Sequence, residues 1–368
     1  MIARKMINRK LMGITAAVAL ATSAISGAAQ AQDPIEMRLS FHESSSSDTW
    51  KKVFQVYADR IEELSEGRIK VTAYPDAVLH SVGDGFKAVA GDVTDIAPAY
   101  PVYLAKSFDL IHANELPGAL PMSNIAAVRV VNELYPDFYR KEYERIGVYL
   151  GQYSVTPGYD ILTTKPVKSL ADLKGMKIRA SGGKITETVK RLGAVPVTMT
   201  IADAYTAFQQ GVVDGIILST ADMVTFKLHE VGKYNFRIGI VRVAIPSALN
   251  PKFYDALPDD LKQVMRQAGM EASANYAAMY DTRTETALEE MNAVGIEVTT
   301  PSEAELEKIR VALEPMWEQF IEQNKDQTDP SAQELVDTLR ELSAKYSEMS
   351  DDEIAALFES EPVQDMRP

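Results

Sequence analysis

Cysteine is absent from all 368 residues, so no disulfide staples the fold and neither a thiol nucleophile nor a thiolate metal site is possible. Histidine is scarce. His42, His80, His112 and His229 are scattered without HExxH or other close ligand spacing, which suits solvated or structural roles and argues for no metal cofactor. No GxSxG elbow and no GxxxxGK[ST] loop occurs, and the paired acids Glu62-Glu63, Asp259-Asp260, Glu289-Glu290 and Asp351-Asp352 fall on helical patterns where solvation is the ordinary explanation. Long apolar runs are missing beyond residue 31, so nothing there reads as a membrane span. Positive charge is also short: 38 basic against 52 acidic side chains give a formal charge of −14. The four basic and no acidic residues of the first 31 leave a net charge of about −18 on the remainder. Such a surface repels nucleic acid and anionic lipid, and an anionic ligand has to be held by a local positive group.

A hydrophobic fraction of 46% over this length allows two α/β lobes or one large domain with a packed core. Residues 1–31 differ in kind from the rest. Arg4, Lys5, Arg9 and Lys10 precede a mostly apolar stretch from Leu11 to Ala24, and Ala29-Gln30-Ala31 offers the small residues that signal peptidase reads. This is the pattern of a cleaved secretory signal, which places the mature chain in the periplasm.

The mature sequence alternates between two periodicities. Ile35 to Phe41 reads as a strand, the polar loop from Ser44 to Asp48 can cap a helix from Trp50 to Leu64, Glu66-Gly67 stops that helix, and Arg68 to Tyr74 reads as a strand again. The same units recur past Pro157, with strands over Met176 to Ala180, Val195 to Met199 and Ile216 to Leu218, which predicts mainly parallel sheets covered on both faces. Asp214-Gly215 is expected to be a helix-to-strand turn with glycine at positive φ. Asp259 to Met291 is the longest helical pattern, about 50 Å at 1.5 Å per residue, enough to brace two lobes. A helix is expected over residues 303–323, and another near Ala332 to Lys345.

One stretch carries chemistry: Leu173-Lys174-Gly175-Met176-Lys177-Ile178-Arg179-Ala180-Ser181-Gly182-Gly183. Arg179 stands at the carboxyl end of a predicted strand, where open α/β sheets bind ligands, and a glycine-rich helix start follows. A guanidinium pairs with a carboxylate through two parallel hydrogen bonds, and helix-start amides add donors. Arg179 is thus the candidate carboxylate clamp. An interdomain or surface ion pair would explain the arginine equally well, and Gly182-Gly183 could serve only as a tight turn. Around it, Phe41-His42-Glu43 ends the first strand and Tyr100 ends the fourth, both candidates to face the cleft, Tyr153 lies near the expected crossover between lobes, and Ser219 and Thr220 stand at a strand end with hydroxyls to offer.

The runs LKGMKIRASGG, LGAVPVTM and DAYTAFQQGVVDG, in this order and spacing, resemble the periplasmic receptors of tripartite ATP-independent periplasmic (TRAP) transporters. The turn Ser65-Glu66-Gly67-Arg68-Ile69 and Glu115-Leu116-Pro117 before a helix add to the resemblance, which spans roughly residues 35 to 325. It implies an α/β, two-lobe, Venus-flytrap fold with a hinge of two crossing strands and a long helix spanning both lobes. The expected organisation is a signal at 1–31, lobe I at 32–155, lobe II at 156–243, a return to lobe I at 244–283, a return to lobe II at 284–325, and a helical tail at 326–368. The resemblance implies that Arg179 binds the substrate carboxylate, and that the receptor works with two membrane permease subunits that couple uptake to a sodium gradient. The chain departs from sialic-acid and dicarboxylate receptors. Thr156-Pro157-Gly158-Tyr159-Asp160 lacks their second arginine, and Ile216-Ile217-Leu218-Ser219-Thr220 lacks their Gln-Glu-Asn. The chain looks closer to the branch with Pro-Trp-Glu-like residues after the Asp214-Gly215 turn, although Ser219-Thr220-Ala221 departs from that pattern too, and this resemblance implies a monocarboxylate such as a 2-oxo or aryl acid as the partner. Two other readings stand beside this one: a periplasmic hydrolase or lyase acting on a similar acid, for which no nucleophile or acid-base pair stands out, and a ligand-sensing partner of a membrane receptor.

Overall fold

The computed structural model describes residues 33–361 and residue 363; the expected signal, with Ala29-Gln30-Ala31, lies outside them. Eleven strands are present among the described residues: β1 (Ile35–Ser40), β2 (Ile69–Tyr74), β3 (Ile96–Pro98), β4 (Tyr149–Val155), β5 (Tyr159–Thr163), β6 (Lys177–Ala180), β7 (Val195–Thr198), β8 (Gly215–Ser219), β9 (Tyr234–Phe236), β10 (Ala244–Leu249) and β11 (Glu297–Thr299). They form two sheets, one ordered β2-β1-β3-β10-β4 and the other β11-β9-β5-β8-β6-β7. Each sheet is the centre of one lobe of a two-lobe α/β fold.

The sheets are mixed rather than mainly parallel. β1 runs parallel to β2 and β3, and β6 to β7 and β8, as the strand-helix alternation predicts. β10 is antiparallel to both β3 and β4, and β5 is antiparallel to both β8 and β9. The physical reason is that the chain crosses between sheets twice. β4 continues through residues 156–158 into β5, and β9 returns through residues 237–243 into β10, so β5 and β10, the strands that follow the crossings, enter their sheets reversed.

The two crossing segments hold each other. Thr156 N–H donates to Val243 O at 2.9 Å, Val243 N–H to Thr156 Oγ1 at 3.0 Å, and Tyr159 N–H to Val241 O at 2.8 Å. Gly158 is there because of the close approach: a Cβ on it would stand 2.6 Å from Gly239 O. Arg242 is buried at this junction, with an oxygen partner at every nitrogen. Its Nε donates to Thr156 O at 2.8 Å, and its two terminal nitrogens to the carbonyls of Pro121, Met122 and Ser123 and to Asn124 Oδ1.

The long helix, Asp259–Ala293, packs against both lobes. Arg60, on the first-lobe helix Gln55–Leu64, pairs with Glu271 at 2.6 Å, Ser273 reaches Gln152 of β4 at 3.4 Å, and Tyr280 meets Asp222 of the second lobe at 3.3 Å. Its buried face is largely alanine, glycine and serine near β4, which lets the helix backbone sit close to the strand.

Two local expectations differ from the structure. The helix foreseen over 303–323 is two, Glu303–Leu313 and Pro315–Gln323, because a proline inside a helix has no N–H to donate and crowds the preceding turn. Gly215 does not turn the chain; it lies inside β8 without positive φ, and Gly211, at φ +71°, ends the preceding helix. The acidic end also forms a helix, Asp351–Ser360, opened by a reciprocal cap between Ser350 and Glu353.

Candidate ligand-binding site

Parallel pairing brings the carboxyl ends of β1 and β3 to one edge of the first sheet, and those of β6 and β8 to one edge of the second. Because β5 runs the other way, its first residue, Tyr159, arrives at that same edge opposite Ser219. A small cavity of about 30 Å³ lies where these edges meet. Glu43, Tyr100 and Tyr103 line it from the first lobe, Tyr159, Arg179, Ser181 and Asp222 from the second, and Tyr276 and Tyr280 from the long helix.

Hydrogen bonds cross between the lobes beside this cavity. Tyr103 Oη accepts from Arg179 Nη2 at 3.2 Å and from the N–H of Ile201 at 3.1 Å. Glu115 Oε2 accepts from the N–H of Lys184 at 2.8 Å, so a first-lobe carboxylate caps the second-lobe helix Gly183–Arg191, and its Oε1 pairs with His112 Nδ1 at 2.7 Å. Gly182, at φ +130°, leaves room for Val102 O, into which any Cβ would run. The lobes are thus shut against each other.

Arg179 is completely buried, yet only part of its guanidinium is answered. Nε donates to Met199 O at 3.1 Å and Nη2 to Tyr103, while Nη1 has no hydrogen-bond partner. Ser181 Oγ, two residues on, is also buried without a partner. Leaving a buried donor unmatched costs about 1–3 kcal/mol, and more when it is charged. The contrast with Arg242 is direct: one buried guanidinium has an oxygen partner at every nitrogen, and the other keeps a nitrogen in hand inside a cavity.

The other end of the cavity is acidic. Burial pushes the Glu43 carboxyl up to about 7, reinforced by the nearby Asp222 charge and opposed by the hydroxyls of Thr49 and Ser47. Burial likewise raises Asp222 to about 6, against hydrogen bonds from Ser219 and Tyr280. Beside them, burial drives His42 down to about 3, so its imidazole is neutral.

Of the residues singled out from sequence, Arg179 and Tyr100 line the cavity. His42 stands behind Tyr100, with Nε2 3.2 Å from its hydroxyl. Phe41 is buried in an aromatic stack, 4.4 Å from Phe54 and 5.9 Å from Trp50 between ring centres, and does not reach the cavity. Tyr153 points into the first-lobe core, its hydroxyl 2.7 Å from that of Tyr143; alternation along β4 sends it to the face away from the cleft. Ser219 caps the helix Thr220–Thr225 through the N–H of Asp222 and donates to that residue's carboxylate at 2.6 Å. Thr220 is spent on Asp160 and Asn235, at 2.6 and 3.0 Å.

Residues that sequence reading missed are Tyr103, Tyr159, Asp222, Tyr276 and Tyr280, and Glu43 was named only as part of the strand end Phe41-His42-Glu43. Asp222 left a trace, since Ser219-Thr220-Ala221-Asp222 has the spacing of a helix cap. Tyr276 and Tyr280 sit one helical turn apart and are indistinguishable from core residues without knowing what the helix covers.

Comparison with known proteins gives this arrangement a family. Residues 41–324 match DctP, the bacterial extracellular solute-binding protein family 7, and the chain belongs to it. It is 25% identical over 343 residues to the C4-dicarboxylate-binding periplasmic protein DctP of Rhodobacter capsulatus, covering 86% of this chain and 95% of that protein. Among solved structures it is similar to a TRAP solute-binding protein from Rhodoferax ferrireducens in complex with copurified benzoate, with TM-score 0.80 and 23% identity over 85% of this chain and 99% of that one. It is also similar to a marine metagenome TRAP solute-binding protein specific for aromatic acid ligands, crystallised with 3-hydroxybenzoate, with TM-score 0.79 and 25% identity over the same shares. The family consists of solute receptors, so this chain is a receptor and not an enzyme. Among the described residues, no helix is long and apolar enough to cross a membrane.

Proposed function

We propose that this chain is the extracytoplasmic receptor of a TRAP transporter, that it binds a small organic acid by its carboxylate at Arg179, and that it delivers the acid to membrane permease subunits. The observation that carries this reading is Nη1 of Arg179, charged, buried and unpaired within the cavity, next to the unpaired Ser181 hydroxyl. A carboxylate supplies the two acceptor oxygens that this corner lacks. The acidic far end disfavours a second carboxylate, which supports a monocarboxylate. The benzoate and 3-hydroxybenzoate in the similar receptors point the same way. Residues 1–31 act as the signal that takes the chain to the periplasm, where they are removed.

Binding is a closure step. A ligand that bonds Arg179 while touching Tyr100 and Tyr103 favours the shut form by the difference in its affinity for the two states, and no bond is made or broken. The test is a thermal-unfolding screen of carboxylic acids on the mature protein. A ligand present at about 100 times its dissociation constant adds about 2.7 kcal/mol of stability. Arg179→Ala is expected to abolish the shift while the unliganded melt stays near that of the wild type. A shift that survives the substitution removes the clamp.

A further inference from the structure

The cavity has a second, acidic end that a simple carboxylate leaves unanswered. Glu43, its side chain only 10% exposed, keeps Oε2 buried without a hydrogen-bond partner. Asp222, from the other lobe, lines the same cavity, held by Ser219 Oγ at 2.6 Å and Tyr280 Oη at 3.3 Å. Three phenol rings stand with them: Tyr100, and Tyr276 and Tyr280, whose ring centres are 5.2 Å apart. The protein's own bases do not neutralise these acids. His42 Nε2 is 3.9 Å from Glu43 but carries no charge at neutral pH, and Arg283, which acts on Asp222 from the long helix, is bonded to Glu290 at 2.7 Å.

A ligand carrying only a carboxylate would satisfy Arg179 and leave two buried acids facing an apolar or neutral group. A dicarboxylate would set like charges together. A hydroxyl would satisfy one acceptor and leave the other acid unanswered. A cation answers both carboxylates at once and is attracted to the faces of the surrounding rings.

We infer that the ligand is a zwitterion: a small acid bearing an ammonium or other cationic nitrogen remote from its carboxylate, the cation held between Glu43 and Asp222 among Tyr100, Tyr276 and Tyr280. The inference rests on the carboxylate reading of Arg179 and narrows its substrate class. Because Glu43 and Asp222 come from different lobes, the cation bridges them and strengthens closure from the end opposite Arg179.

The experiment is titration calorimetry on the mature chain with matched sets: 4-(aminomethyl)-, 4-(hydroxymethyl)- and 4-methylbenzoate, and short ω-amino-, ω-hydroxy- and unsubstituted alkanoates. In at least one set the amine is expected to bind at least about tenfold tighter than both neutral counterparts, a difference of about 1.4 kcal/mol. That preference is expected to fall to about twofold or less in Glu43→Gln and Asp222→Asn, with urea unfolding of the free variants establishing that they fold. Neutral members that bind as tightly as their amines, or a preference that persists in both variants, overturn this inference and leave the carboxylate reading standing. Absence of binding by every member, or binding that is unchanged in Arg179→Ala, overturns the carboxylate reading and this inference with it.

Discussion

Glu43 should make the free receptor less stable as the pH rises, and Glu43→Gln should remove that effect. Burial holds the Glu43 carboxyl at about 7 in the folded chain, against an ordinary value of 4.5. Below 4.5 the side chain is protonated whether folded or not, and nothing is lost. Between 4.5 and about 7 the unfolded chain releases the proton while the folded chain keeps it, so stability falls as pH rises, and the loss is complete above 7. The size of the effect is about 3 kcal/mol. Two neighbours titrate in the same window. Asp222, raised to about 6, acts in the same direction, whereas His42, lowered to about 3, acts oppositely because its unfolded form takes up a proton below 6.5. Tyr100, Tyr276 and Tyr280 titrate far above this range. The wild-type profile alone is therefore a sum of opposed trends, and the informative quantity is the difference between variant and wild type. Urea unfolding at pH 4.5, 5.5, 6.5 and 7.5 measures it. Glu43→Gln should gain about 3 kcal/mol on the wild type across that range. A difference that stays flat to within about 0.5 kcal/mol would show that Glu43 is not a buried carboxyl holding its proton.

Two further substitutions probe the contacts that shut the lobes. Tyr103→Phe removes the acceptor shared by Arg179 and the N–H of Ile201, and should weaken ligand binding by about five- to tenfold, as for one or two net hydrogen bonds, with little change in the free protein's melt; calorimetry and a melting curve together decide it. Glu115→Ala uncaps the helix that starts at Gly183 and strips His112 of its partner, so it should cost about 1 kcal/mol in the closed form. Small-angle scattering of the liganded variant should show a larger radius than the liganded wild type, and an unchanged radius would mean that Glu115 has no part in closure.

Much of this architecture was legible because local patterns and the fold agree. The Ser47 hydroxyl accepts the N–H of Trp50 at 3.1 Å, Glu66 and Gly67 both turn with positive φ, and Arg179 sits one residue from the end of β6, where the sequence places it. What stayed hidden depends on which face a side chain presents. Tyr153 and Tyr100 looked alike as aromatics near strand ends, but alternation along β4 sends Tyr153 into a tyrosine cluster, while Tyr100, two residues past the third strand, β3, lines the cavity. Glu43 was visible only as the residue after His42, and nothing local marks it as buried; its environment is assembled by Asp222, Tyr276 and Tyr280, about 180 to 240 residues away in the chain. The antiparallel strands β5 and β10 were likewise unreadable, since a short apolar run does not declare its direction. That direction follows from where the chain changes lobes.

The most direct test of the clamp is a crystal structure of the receptor with the tightest-binding acid from the screen. A carboxylate oxygen is expected within about 3.2 Å of Arg179 Nη1, with its partner oxygen in reach of the Ser181 hydroxyl. A bound carboxylate elsewhere in the cleft, with Arg179 still joined only to Met199 and Tyr103, would contradict it.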